Sequence, residues 1–172
     1  MAEPDGGVRR PQTDAQKVER PRDELGRPLP AGATNRLRLE AFEQFDLQTN
    51  HRLAVQHFNA GQYFGAHEAW ETCWRLSRDT ADEAFFKGLS QLGAGYTHYR
   101  RGNAHGARAL LGRGVEGIRP YAPRHRGLDV DAIVATAESH ADRFRTAEEA
   151  GLPPPDVAVP PLRLGEDGAD GT

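Results

Sequence analysis

Apolar residues recur at helical spacing through the middle of this chain and nearly vanish at its ends. Ala66, Trp70 and Cys73 stand at i, i+4 and i+7, which predicts a helix over about Tyr63 to Ser77. Phe85, Leu89, Leu92, Tyr96 and Tyr99 form a longer stripe, for a helix reaching about Arg101 before Gly102. Ahead of it Thr80-Ala81-Asp82-Glu83 reads as a capping box, with Thr80 and Glu83 satisfying each other's end amides. Upstream, a helix over about Asn50 to Ala60 stops at Gly61, where a left-handed C-cap belongs. Downstream, Asn103 N-caps a fourth helix running to about Ile118, closed by Pro120 and Pro123. A fifth, N-capped by Asp129, carries Val130, Val134, Ala137, Ala141 and Phe144 on one face. Residues 36–48 fit neither helix nor strand period cleanly.

The helices repeat. Shifting residues 57–66 by 41 positions lays His57 on His98, Phe58 on Tyr99, Gly61 on Gly102, Gly65 on Gly106 and Ala66 on Ala107. A helix ending in Gly, a tight turn and a helix with small residues one turn in is the grammar of helical repeats. Two units are fewer than a solenoid needs, so the expected fold is all-α. It is a compact bundle of about five helices on two helix–turn–helix (TPR-like) units, with disordered termini.

Composition sets the limits of that domain. Of the 12 prolines, five lie at or before Pro30 and seven at or after Pro120, which leaves residues 31–119 free for unbroken helices. Hydrophobic residues are 37% of the chain and mean hydropathy is −0.71. These values predict a mostly disordered arm at 1–35, one helical domain at 36–150 and a disordered, Pro-rich acidic tail at 151–172. Within the arm, Arg20 to Pro30 reads as an extended piece with Leu25 and Leu29 able to dock. The net charge of −3 argues against nucleic-acid binding. No apolar run is long enough for a membrane span. The single cysteine, Cys73, and the lack of an apolar leader predict a cytoplasmic protein.

One polar motif interrupts the apolar stripes. On the second helix His67, Glu71 and Trp74 share a stripe, with Glu68 beside it. On the third, Gln91 and His98 share one with Gly88 and Gly95, and flanking glycines mark close approach by a backbone or a ligand. If that face meets the second helix, His67, Glu68, Glu71, Gln91 and His98 converge, enough for a divalent-metal site or an acid–base pair. A His and Glu four apart also make an ordinary local pair. Trp70, Trp74 and Cys73 read as core. His51, His57, His105, His125 and His140 read as surface.

The run Phe58-Asn59-Ala60-Gly61-Gln62-Tyr63-Phe64-Gly65-Ala66-His67-Glu68-Ala69-Trp70-Glu71-Thr72-Cys73-Trp74 resembles the hallmark of the domain-of-unknown-function 309 family of bacteria and archaea. So do Gly88-Leu89-Ser90-Gln91-Leu92, His98 and Gly102-Asn103-Ala104-His105-Gly106-Ala107, while the arm from Pro21 to Pro30 looks like that of actinobacterial members. The resemblance implies an all-α fold and the family label "predicted metal-dependent hydrolase". Matched to the family's polar motif are Asn59, His67, Glu68, Glu71, Trp74, Gln91, His98 and Asn103, and Ser90 and Gly65 depart from its commoner residues.

Two classes of function follow. In the first, an enzyme holds a divalent metal ion as cofactor through His67, Glu71 and His98, with Glu68 as general base and Asn59, Trp74, Gln91 and Asn103 lining the site. In the second, a non-catalytic helical-repeat module binds a peptide or protein partner between its hairpins.

Overall fold

The computed structural model describes residues 20–166. Five helices follow in order: α1 (Leu47–Asn59), α2 (Tyr63–Leu76), α3 (Glu83–Arg100), α4 (Ala104–Ile118) and α5 (Val130–Glu149). Each packs chiefly on its neighbours in sequence. A two-residue antiparallel ladder, β1 (Arg124–His125) against β2 (Leu128–Asp129), leads into α5. The fold is the all-α bundle that the stripes predict, and among the described residues no helix is long and apolar enough to cross a membrane.

The duplication extends to single atoms. Gly61 and Gly102 both take positive φ (73° and 76°), the left-handed turn that glycine enters without steric cost. In both turns the glycine amide bonds the carbonyl three residues back, and the next amide bonds the carbonyl of His57 or His98 (2.9 Å each). Each histidine then lies over the glycine of the following helix. A Cβ added to Gly65 would stand 2.7 Å from His57 Nδ1, and one on Gly106 would stand 2.6 Å from His98 Nδ1. Each Nδ1 also meets the side-chain amide of the following helix's N-cap: Gln62 Oε1 at 2.7 Å and Asn103 Nδ2 at 3.0 Å. Histidine, cap amide and glycine thus make the same joint twice.

Local signals hold where no distant group competes for them. Asn103 and Asp129 cap α4 and α5 through Gly106 N (2.9 Å) and Ala132 N (3.0 Å). The capping box does not form. Thr80 Oγ1 donates to Ser77 O, Glu83 accepts from Asp79 N, and the N-cap of α3 is Asp82, whose carboxylate pairs with His125 and Arg126.

The core runs through the bundle, with Trp70, Phe85, Phe86, Leu89, Leu111 and Phe144 all but inaccessible. Three histidines expected at the surface are buried in it because each finds partners. Trp70 Nε1 donates to His51 Nδ1 (3.0 Å), His57 Nε2 meets Glu40 (2.6 Å), and Tyr96 OH bonds His140 Nδ1 (2.8 Å). His125 is half-buried beside Asp82, and His105 is exposed as expected.

Both ends dock where they are described. In residues 20–35 Asp23 caps a turn through the amides of Leu25 and Arg27, Gly26 sits against the Phe64 ring, and Arg101 donates to Leu25 O. Residues 152–166, expected to be disordered, form a strap without helix or strand across the face built by α1, α3 and α5. Asn59 pairs with Leu162 twice, donating from Nδ2 to its carbonyl (2.8 Å) and accepting its amide on Oδ1 (2.7 Å). Tyr99 OH accepts from Val157 N (3.1 Å), and Gly165 N donates to Gly127 O (2.8 Å). Val157, Val159 and Leu162 pack on the core, and that apolar contact is what composition averaged over the tail conceals. Expected disorder at 1–19 and 167–172 falls outside the described residues.

Candidate metal centre on α2

Helix α2 buries Ala66, Ala69, Trp70 and Cys73 and leaves His67, Glu68 and Glu71 half-exposed along its border. Packing fixes where that border lies. Gly93 of α3 sits against the backbone of His67, and a Cβ there would meet His67 N at 2.9 Å and Cα at 3.0 Å. At this closest approach His67 Nδ1 is 2.9 Å from both the carbonyl oxygen and the Oγ of Ser90, whose hydroxyl donates to His67 O (3.3 Å).

These contacts decide the tautomer of His67. A carbonyl only accepts, so in the neutral ring Nδ1 carries the proton and Nε2 keeps its lone pair. That nitrogen is 3.4 Å from Glu71 Oε2 and 3.9 Å from Glu68 Oε1. Among the described residues, His67, Glu68 and Glu71 are the one group of three or more His, Cys, Asp or Glu whose ligand atoms all lie within 4.8 Å of one another. Burial pushes the Glu68 carboxyl above the usual carboxylate range and the Glu71 charge adds to this, against the opposing pull of His67, Arg22 and Arg75. Arg22 comes from the docked arm, where its guanidinium lies 5.2 Å over the Phe64 ring.

The other sequence candidates separate. His98 is outside the group. Its Nδ1 accepts from Asn103 Nδ2, whose orientation is set by Oδ1 capping α4, so the neutral ring bears its proton on Nε2. The reason lies in how α3 is turned. Its Gly88 and Gly95 press on α4, where added Cβ atoms would meet Gly114 O and Leu111 at 2.9 Å. The stripe holding Gln91 and His98 therefore faces towards α4, while Ser90, Gly93 and Thr97 form the side towards α2. Asn59 is engaged with the strap. Gln91 is half-buried beside Ser90. Trp74 is also half-buried, with Lys87 Nζ 5.3 Å over its ring and its buried Nε1 lacking an acceptor among the described residues. Ser90 escaped the sequence reading as a site residue, although small residues at 90, 93 and 97, spaced i, i+3, i+7, mark close helix approach.

Two histidines, the half-buried His98 and the buried His140, carry a pH dependence. Burial, then the charges of Arg101, His105 and His67, lower the pKa of His98; burial chiefly lowers that of His140. The unfolded chain therefore binds these protons more readily, and the stability they lend is complete above about pH 6.5 and declines below it. Glu148, held down to about 2 by Arg108 and then His105, adds its own loss only as pH falls below about 4.5. Thermal melts between pH 7.5 and 5 are expected to show a falling melting temperature, with a shallower fall in His140→Gln. An equal slope in the two proteins would remove His140 from the account.

A model described as a domain of unknown function (DUF309) matches residues 51–110, from His51 in α1 to Leu110 in α4. Residues 51–110 are a DUF309 domain. No curated protein matches the chain. The DUF309 domain holds both histidine–glycine joints and the His67–Glu68–Glu71 group, and it leaves the arm, α5 and the strap outside.

Proposed function

We propose that the DUF309 domain binds a divalent cation on α2 and uses it in hydrolysis, with His67 and Glu71 as ligands and Glu68 as general base. The observation that carries this reading is the placement of the His67 ring, with Nδ1 2.9 Å from the Ser90 carbonyl and Nε2 facing Glu71 and Glu68. The Nε2 of His67 faces these carboxylates at 3.4 and 3.9 Å, and a cation there would supply the balancing charge. The imidazole of His67 and the carboxylate of Glu71 suit a divalent metal, Glu68 stands beside them as base, and the half-exposed border leaves room for water and substrate. A cation bound there would bring the pKa of a water towards neutrality.

The chain's own groups divide the remaining work. Ser90 fixes the imidazole through Nδ1 and so aims Nε2, the outer-sphere support that metal-binding histidines commonly have. Glu68, its carboxyl made more basic by burial and by Glu71, accepts a proton from water. His98 was expected to be a ligand; its Asn103-bound tautomer suits it to donate from Nε2 to a substrate oxygen. Trp74 Nε1 and Gln91 stay in the proposal as binding groups, Asn103 acts through His98, and Asn59 at the end of α1 holds the strap.

The chelator-stripped protein is expected to take up about one zinc ion per chain by calorimetry and elemental analysis. His67→Ala with Glu71→Ala lowers the affinity about 100-fold or more, and Ser90→Ala about 10-fold. Melting temperatures change little, because both ligands are half-exposed. Equal, sub-stoichiometric metal in the wild type and the double variant would end this reading.

A second reading rests on the strap. Helical-repeat proteins bind segments on the surface that successive helices build, and residues 157–165 lie on such a face with their backbone held by Asn59 and Tyr99. The module would then be a peptide binder with an internal occupant. A failed metal experiment leaves this reading standing.

A further inference from the structure

Between the strap and the helices lies a cleft of about 570 Å³, apart from the His67 group. Its floor is Phe58, Trp70, Leu89, Leu92 and Tyr96, α5 contributes Ile133, and residues 159–165 form the roof. The polar atoms of that floor already have partners, Trp70 Nε1 in His51 and Tyr96 OH in His140. The space therefore offers water little and apolar groups much. Its volume falls in the range of small-molecule sites, which is roughly 300–1,000 Å³.

The edge of the cleft differs from its floor. Arg124 and Arg163 stand there, and among the described residues neither is in an ion pair with a carboxylate. Arg124 makes one long bond, to Gly127 O at 3.4 Å. The carboxylate at the edge, Asp129, is occupied in capping α5. An apolar chamber with an excess of positive charge at its mouth matches a molecule with an apolar body and a single negative end.

We propose that this cleft binds a medium-chain carboxylic acid or a molecule of that chemistry, its chain on Trp70, Leu89 and Leu92, its carboxylate at Arg124, and the strap closing over it. Arg124 supplies a charge-assisted bond, and the floor supplies the apolar contact. The strap is suited to opening, because side chains and single backbone bonds hold it and no ladder does.

The test uses the full chain after delipidation, titrated calorimetrically with decanoate and, as an uncharged probe, 1-decanol. One decanoate per chain is expected, with a dissociation constant on the order of 10–100 µM. Ala132→Trp, at an exposed position on the cleft's edge, fills the mouth and abolishes binding of both probes. Arg124→Ala weakens decanoate about 10-fold and leaves 1-decanol unchanged. Both substitutions are at exposed positions, and a circular-dichroism melt verifies that the variants fold. The proposal is overturned by the absence of saturable heat with either probe, or by unchanged binding in Ala132→Trp. Equal affinities in Arg124→Ala and wild type would overturn the place assigned to the carboxylate.

Discussion

Trp70→Ala is expected to melt roughly 10 °C below the wild type, a loss of about 3–5 kcal/mol. The indole is 1% exposed and lies among Phe58 and His51, with ring centroids 6.0 and 6.4 Å away. Alanine removes this apolar surface and opens a cavity that surrounding helices fill only in part. It also withdraws the donor from His51 Nδ1, whose ring links to Arg126 O through Nε2 (2.9 Å). A domain of this size has about 5–15 kcal/mol of stability in all, so the loss is a large share. Chemical denaturation monitored by circular dichroism measures it. A change below about 1 kcal/mol would show that the indole is not the centre of packing described above.

The second large effect comes from one methyl group placed at two sites. Gly93→Ala sets a Cβ 2.9–3.2 Å from the N, Cα and Cβ atoms of His67, two of them backbone, so α2 and α3 must part. Overpacking of this kind costs about 1–3 kcal/mol. The displaced residue is His67 itself, so zinc affinity is expected to fall in the same variant. Gly112→Ala, in α4, meets nothing within 4 Å and gains the helix preference of alanine, about 0.5–1 kcal/mol. The same substitution therefore lowers the denaturation midpoint at one position and raises it at the other. If Gly93→Ala left the midpoint unchanged or raised it, the close approach of α2 to α3 would be disproved.

How much of this was legible in the sequence follows from how far apart the deciding groups lie. Gly61, Gly102, Asn103 and Asp129 act within a few residues of themselves, and the turns and caps formed where expected. Thr80 and Glu83 carried an equally good local signal. It lost to Arg126 and His125, more than 40 residues away, which hold Asp82 at the start of α3. The candidate site divides in the same manner. His67, Glu68 and Glu71 share one helix, so their spacing alone put them together. Placing His98 and Gln91 required the rotation of α3 about its own axis. Gly88 and Gly95 set that rotation against α4, and glycines in a stripe do not disclose which neighbour they meet. His57 and His140 were read as exposed because Glu40 and Tyr96, which satisfy them, are distant in sequence. Asn59 lies within the motif, but its partner Leu162 is 103 residues away.

That last separation bears on how the chain assembles. Each helix packs on the one before it, so most contacts close short loops and the bundle belongs to the fast-folding topologies. The strap closes a longer loop than the docked arm or the His51–Arg126 bond, because bringing Leu162 to Asn59 encircles nearly the whole domain. It docks after the helices have formed the face it lies on, and it is the first element to leave when the protein breathes. In native-state hydrogen exchange the amides of Val157 and Leu162 would exchange ahead of those inside α2 and α3, through an opening that leaves the bundle intact.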